Sequence, residues 1–301
     1  MSPANLTYLA YALLWKITQW LPETFAYRLA DKCADYLFEK NGKQIQRLRS
    51  NYQRFHPELS DIALSAMTKA GMRSYLRYWC DTFRFPQWSK ERIISSVVVD
   101  REELLRDPIA AGRGCIVALP HAGNWDHAGA YFCATGIPFT TVAEHLEPEK
   151  LFRKFLTYRE SIGMEVLDLN SRVIAVLAQR LRAGKLVALV ADRDLSQSGI
   201  EVDFAGGPAR MPAGPAILAI QTGADLINAY VKYEGKGIRI TFEEPIEVPS
   251  VGTQSEKVRA MTQISATRFE NAIRNSTTDW HMLQRIWVDG DFIDKSGAER
   301  S

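Results

Sequence analysis

The chain lacks any long apolar run. Nothing in its 301 residues approaches the roughly 18–20 apolar residues that a membrane-spanning helix needs, so no span is expected. An early basic region ahead of an apolar core and a small-residue cleavage site is also missing, which argues against a secretory signal. Cysteine is scarce. Cys33, Cys80, Cys115 and Cys133 form no CxxC pair, and three sit in apolar periodic contexts, so buried reduced thiols in a cytosolic setting are expected. Zinc-type spacing is absent; His121, Asp126, His127 and His145 form only a loose set, and no metal is expected. No GxSxG elbow is present, which counts against an ordinary serine hydrolase. Neither a P-loop nor a dinucleotide fingerprint occurs, and there is no internal repeat.

What is present is enough for a sizeable core. Hydrophobic content of 46% against 24% charged residues suits one large α/β domain or two small ones. The net charge of +2 is unevenly spread. Residues 1–95 hold 14 Lys/Arg against 8 Asp/Glu, a surplus of six that leaves −4 on the remainder. A basic first third points to an anionic surface such as phospholipid, or simply to a solvated helical face.

Residues 5–21 place Leu6, Leu9, Leu13, Ile17 and Trp20 on one helical stripe, with Tyr8, Tyr11 and Trp15 adding interfacial aromatics. Lys16 fits a helix lying in a headgroup region rather than spanning it. An ordinary core-packing helix explains the same stripe. Pro22 ends this helix, and further helices are predicted over 23–40, 43–55 and 60–85, rich in arginine and aromatics and able to clasp a membrane-facing groove. From Val97 strands and helices alternate. Strands are predicted at 115–119, 139–143, 164–167, 186–191, 200–204, 225–233 and 237–243, with helices at 125–134, 148–161, 171–183, 212–222 and 254–275. The expected fold is therefore α/β, a central mixed and largely parallel β-sheet flanked by helices on both faces, with an N-terminal helical region. We expect a membrane-associating region over 1–95, an α/β core over 96–289 continuous with it, and a flexible tail over 290–301.

The chain is organised around Gly114-Cys-Ile-Val-Ala-Leu-Pro-His-Ala-Gly-Asn-Trp-Asp126. Cys115 to Leu119 reads as a buried strand, Pro120 ends it, Gly123 allows a tight turn and Asn124 caps the next helix. His121 thus sits past the carboxyl end of a strand, where open α/β sheets place their chemistry, with Asp126 five residues on. A neutral imidazole there can take a proton from an alcohol; a structural histidine and a dipole-complementing Asp126 are the plainer alternatives. A second apolar strand, Leu186 to Ala191, delivers Asp192, Arg193 and Asp194. If the strands are neighbours, Asp192 reaches His121 and holds its tautomer; otherwise it belongs to an ion-pair cluster around Arg193. Downstream, Phe204 to Pro215 reads as a Gly/Pro-rich loop whose amides at Gly206 and Gly207, with Arg210, suit an anionic phosphate.

At His121-Ala-Gly-Asn-Trp-Asp126 the sequence resembles the HxxxxD acyltransferases of glycerolipid and lipid A type. Further matches are Thr141-Val-Ala-Glu144, Tyr158-Arg-Glu-Ser-Ile-Gly163, Arg193-Asp-Leu195, Arg210-Met-Pro-Ala-Gly-Pro215 and Asp279-Trp-His-Met-Leu283. With these, roughly residues 5 to 288 look like the phosphatidylinositol mannoside acyltransferases of actinobacteria. The resemblance implies a peripheral enzyme at the cytoplasmic face of the cell membrane, on an anionic surface. It would move a palmitoyl-type chain from acyl-CoA, a co-substrate rather than a cofactor, to a mannose hydroxyl of a phosphatidylinositol mannoside. Nucleic acid is not among the implied partners. His121 would be the base, with Asp192 completing a relay where close relatives carry glutamate; whether Asp192 or Asp126 orients the histidine stays open. Glu144, Arg159, Arg193 and Arg210 match positions around the acceptor or the thioester. Oxyanion donors are expected in the 121–124 turn or the 206–214 loop. An apolar tunnel for the chain is expected too, walled by the helical first third with Trp125, Phe132 and Phe155. Another glycolipid or a lysophospholipid is the alternative acceptor, and a silent lipid-binding module is a third reading.

Overall fold

The computed structural model describes residues 3–143, 148–169, 172–194 and 199–289. Four helices come first: α1 (Pro3–Trp20), α2 (Glu23–Lys40), α3 (Lys43–Phe55) and α4 (Asp61–Arg84). Pro22 separates α1 from α2, Asn41 in the left-handed region ends α2, and the Ser60 hydroxyl caps α4. Then follow α5 (Lys90–Ser95), β1 (Val97–Asp100), α6 (Glu103–Ala110), β2 (Cys115–Leu119), α7 (Trp125–Ala134), β3 (Phe139–Ala143) and α8 (Glu149–Ser161). The rest is β4 (Glu165–Asp168), α9 (Val173–Arg182), β5 (Leu186–Val190), β6 (Ile200–Phe204), β7 (Gly207–Met211), α10 (Gly214–Thr222), β8 (Asp225–Glu234), β9 (Gly237–Phe242) and α11 (Gln254–Asn275).

Seven strands form one sheet in the order β1-β9-β8-β2-β5-β3-β4, and only the β8–β9 pair is antiparallel. The expected α/β class with a largely parallel mixed sheet is what is observed. The two faces of the sheet feed two cores, and β2 shows how. Cys115, Val117 and Leu119 point to the core with α6 and α7, whereas Ile116 and Ala118 point to the core that also holds Leu48, Tyr52, Phe55, Leu64 and Met72 of α3 and α4. The basic N-terminal helices are therefore packed on the sheet through common core contacts.

Three features depart from the sequence reading. β1, α5 and α6 span four, six and eight residues, too short for a period to register. The expected loop after Phe204 is instead a β6–β7 hairpin. Ala205 and Gly206 both take positive φ, 44° and 75°, the geometry that a two-residue hairpin turn requires. Third, only Cys80 and Cys115 are buried; Cys33 is exposed and Cys133 half-buried, and all four are free thiols.

α1 also settles which of its faces is packed. Trp15 is buried against Phe83, Phe155 and Tyr158, with centroids 5.0 to 5.9 Å away. The leucine stripe faces outward: Leu13 is 59% and Trp20 95% exposed, with Leu9, Leu14 and Ile17 beside them. Phe25, Leu29, Tyr36 and Leu37 of α2 are exposed as well. Core packing therefore does not explain Leu9, Leu13, Ile17 and Trp20 of the stripe. Among the described residues no helix is long and apolar enough to cross a membrane.

Candidate active site

β2 and β5 are parallel neighbours with Leu119 opposite Val190, and the amide of Ala191 donates to the Leu119 carbonyl at 2.9 Å. That register carries the two chains forward side by side and brings residue 121 against residue 192. Pro120 closes β2, and Gly123 turns the chain at φ 57°. A Cβ there would lie 2.6 Å from the Val231 carbonyl oxygen, so only glycine fits. Asn124 then caps α7, its Oδ1 accepting from the His127 amide at 2.9 Å.

His121 and Asp192 meet directly. Asp192 Oδ1 lies 2.5 Å from His121 Nδ1, and Oδ2 accepts from the His121 amide at 3.0 Å and from Trp280 Nε1 at 2.8 Å. Asp192 is fully buried. Burial by itself raises its carboxyl, but the His121 charge, the ring hydrogen bond and the Trp280 and backbone donors outweigh this, and the net shift is downward. An ionised carboxylate against Nδ1 fixes the tautomer with the proton on that nitrogen and leaves the lone pair on Nε2. The alternative of an ion-pair cluster around Arg193 fails for Asp192; Arg193 instead donates to the Gln284 side-chain oxygen.

Asp126 turns elsewhere. Arg159 at the end of α8 donates to it through Nε at 2.8 Å and Nη2 at 3.3 Å, and Tyr78 of α4 donates at 2.9 Å. Burial lowers the Arg159 pKa, but the Asp126 charge and hydrogen bond, with Tyr78 and Tyr158, together more than reverse this and hold the guanidinium firmly protonated. Trp125 connects the two clusters. Its indole stacks on Tyr78 at 4.3 Å and stands edge-on to the His121 ring at 5.7 Å.

Trp125, Asp126 and Arg159 form the polar end of a cavity with about 710 Å³ of empty volume. Apart from Thr141, the remaining lining is apolar and includes Val117, Ala188, Val231 and Phe242 of the sheet, and Ala128, Gly129 and Phe132 of α7. Trp125 and Phe132 thus lie where a tunnel wall was expected. Phe155 does not; it packs on Trp15 and Trp79, 5.5 and 5.7 Å away. Among the described residues, none of the first hundred lines the cavity, because it lies within the α/β core rather than in a groove between the N-terminal helices.

Other expected positions fall apart from His121. Gly206 is the hairpin turn, and Gly207 starts β7 against Arg54, Trp287 and Asp289. The Ala205 amide is taken by Glu270 and the strands pair each other, so this segment is no open anion loop. Arg210 lies on β7, where its carbonyl accepts from the Asp194 amide at 2.7 Å. In the 121–124 turn, the amides of His121, Ala122 and Gly123 are all committed, to Asp192, Pro120 and Asp279. Glu144, His145 and the tail from 290 lie outside the described residues. His127 sits within α7, buried against Ser96 and the Ile93 carbonyl, and burial pulls its pKa down to about 4. It is placed as a core histidine.

Three contributors were not singled out from sequence. Tyr78 is one aromatic among many in a long helix, and no local pattern marks it. Trp280 and His281 belong to the Asp279–Leu283 motif, which carried a resemblance but no role. His281 donates its amide to the His121 carbonyl at 2.8 Å, while burial holds its ring pKa down to about 3.

The model of the bacterial lipid A biosynthesis acyltransferase family matches residues 2–289. The phosphatidylinositol mannoside acyltransferase of Mycolicibacterium smegmatis is 40% identical over 297 residues, covering 98% of this chain and 95% of that protein. Proteins of the same name from two strains of Mycobacterium tuberculosis are 40% identical over 284 residues, 93% of this chain and 88% of theirs.

Proposed function

The chain belongs to the bacterial lipid A biosynthesis acyltransferase family, and from that premise we propose that it transfers a long acyl chain, palmitoyl in type, from acyl-CoA to a mannose hydroxyl of a phosphatidylinositol mannoside. One observation carries the reading: His121 paired with the buried Asp192, next to the Trp125–Asp126 end of a largely apolar cavity. The acceptor in the proposal is the one named in the mycobacterial relatives.

In the mechanism, His121 Nε2 takes the proton of the acceptor hydroxyl as its oxygen attacks the thioester carbonyl. The tetrahedral intermediate collapses by breaking the C–S bond, and the proton on His121 passes to the departing CoA thiolate. The products are the ester and free CoA, and no covalent acyl-enzyme is required. Asp192 keeps Nδ1 protonated and stabilises the imidazolium that forms. The amides of Asn124, Trp125 and Asp126, at the N-terminus of α7, are the nearest donors in sequence for the oxyanion. Some fifteen methylenes entering the cavity would contribute on the order of 10 kcal/mol at ~0.8 each, before ordering costs.

A second cavity supports a sugar-bearing acceptor. It has about 1000 Å³ of empty volume and is lined by carboxylates, cations and hydroxyls that include Glu23, Thr24, Asp31, Arg77, Lys236 and Asp279. Mixed charge and hydroxyl groups suit a polyol better than an alkyl chain. Its Asp279 also accepts the Gly123 amide, two residues from the base. The exposed apolar residues of α1 and α2 are the surface we assign to peripheral docking at the cytoplasmic face of the membrane. The test is purified protein with palmitoyl-CoA and a phosphatidylinositol mannoside, with CoA release followed and the product read by mass. Acceptor-dependent CoA release with a palmitoyl mass increment on the mannoside supports the reading; no acylated mannoside, with His121→Ala as blank, sinks it.

A further inference from the structure

The Asp192 carboxylate is steadied from a side that neither β5 nor the His121 ring supplies. A carboxylate that turns one oxygen to an imidazole remains free to rotate about its terminal bond unless the other oxygen is fixed. Here Oδ1 faces Nδ1 of His121 at 2.5 Å, while Oδ2 accepts the Trp280 indole N–H at 2.8 Å and the His121 amide at 3.0 Å. Trp280 has no room to withdraw. It is fully buried, edge-on to Phe55, Phe204 and Trp287 with centroids 5.0, 6.2 and 6.3 Å away.

The backbone around Trp280 is tied to the very turn that carries His121. Ala122 and Trp280 form an antiparallel bridge, the Gly123 amide donates to the Asp279 carbonyl, and the His281 amide donates to the His121 carbonyl, the last two at 2.8 Å. The orienting donor and the base therefore ride on one hydrogen-bonded unit. Neither can shift without straining the other.

We propose that Trp280 is a positioning residue for the transfer reaction: its indole N–H locks the rotation of the Asp192 carboxylate and so fixes the His121 tautomer that leaves Nε2 as the base. It touches no substrate and acts only through Asp192. The inference rests on His121 being the base.

Trp280→Phe tests this, since it keeps an aromatic ring and removes the donor. The kcat should fall roughly tenfold, the scale of one lost hydrogen bond to a charged group. KM for donor and acceptor should stay within about twofold, because no substrate contact is removed. In an Asp192→Asn background the same substitution should cost less than about twofold, because residues acting as a unit are not additive. Unchanged kcat in the single variant, or losses that simply multiply in the double variant, overturns the proposal. If Trp280→Phe does not fold, ¹⁵N-tryptophan spectra of the wild-type and Asp192→Asn proteins decide instead. Trp280 and Trp287 both hold buried, hydrogen-bonded indole N–H groups, and one of these two slowly exchanging signals should move and exchange faster in Asp192→Asn; an unmoved pair overturns the proposal. His121→Ala separates the two failures. Full activity in His121→Ala removes the base assignment, whereas a dead His121→Ala beside a normal Trp280→Phe removes only the tryptophan's role.

Discussion

Arg159 grips Asp126 at two points, Nε to Oδ1 at 2.8 Å and Nη2 to Oδ2 at 3.3 Å. Asp126 is therefore the anion of a nearly buried ion pair, not the group that orients His121. Removing one member leaves the other charge uncompensated, which typically costs about 3–5 kcal/mol, with Arg159 at the low end because it keeps some solvent contact. Asp126→Asn and Arg159→Met should each lower stability by about 3 kcal/mol in urea denaturation. The Asp126→Asn/Arg159→Met protein should recover part of the loss. Additive losses would show that the two side chains do not depend on each other.

Asp192→Asn should behave differently. One carboxylate oxygen faces Nδ1 and the other faces two N–H donors. An amide NH₂ put against the two donors would collide with them, so it must turn toward Nδ1. There it donates, which forces the imidazole proton onto Nε2 and removes the base. Turnover should fall by roughly 10²–10⁴-fold, the span for losing a general base or its tautomer. Retention of more than a tenth of wild-type turnover would return the orienting role to some other group.

The exposed patch gives a membrane prediction. Leu9 and Leu13 are 48% and 59% exposed, so replacing both with glutamate removes little packing. Leu9→Glu with Leu13→Glu should abolish binding to anionic vesicles while shifting the melting temperature by no more than ~2 °C, as surface substitutions do. Undiminished vesicle binding would assign the docking surface elsewhere.

Strong local signals survived the passage from sequence to structure, and long-range ones did not. α7 and α11 lie where their caps place them, at Asn124 and Thr253, because a cap and a period are written within a few residues. The His121–Asp192 pairing was conditional on two strands being neighbours, a matter of sheet order that no local pattern states. Gly206 and Gly207 show the opposite failure. Glycines that free amides for an anion and glycines that permit positive φ in a hairpin look alike in sequence. Phe155 shows a similar ambiguity, since an aromatic serves equally well as a cavity wall or as packing for Trp15, and here it packs.

Acid should loosen the fold through two buried histidines. Burial pulls His127 down from 6.5 to about 4, and burial with the neighbouring His121 pulls His281 to about 3. As pH falls from about 6.5 toward 4, the unfolded chain takes up these protons first, so stability declines by up to about 1.4 kcal/mol per proton per pH unit. Asp81 and Asp279 are raised by burial and act in the opposite sense, offsetting part of the decline at its acid end. The depressed Asp192 contributes stability that is lost only at still lower pH. Urea titrations between pH 7 and 5 should show the decline, and His127→Gln should flatten it. An equal slope in the variant would mean that His127 takes up its proton equally in both states.

The cavity makes a prediction about chain length. Gly129 lines it one helical turn beyond Trp125, about 6 Å along α7 from the polar end. A Cβ at this position would lie 2.5 Å from Met164 Cε and 2.7 Å from Phe139 Cζ, both tips of side chains that line the same cavity. Gly129→Ala therefore pushes those tips into the path of the chain. Alanine is the better helix former by about 1 kcal/mol, which offsets part of the roughly 1–3 kcal/mol that overpacking costs, so the variant should still fold. Each methylene kept out of the cavity forfeits ~0.8 kcal/mol, so displacing two lowers kcat/KM for palmitoyl-CoA roughly tenfold. Butanoyl-CoA, whose chain ends short of Gly129, should lose much less. The measurement is kcat/KM across donors of increasing chain length with wild-type and variant proteins. A loss that is the same for short and long donors would place the acyl chain outside this cavity and take the tunnel out of the mechanism.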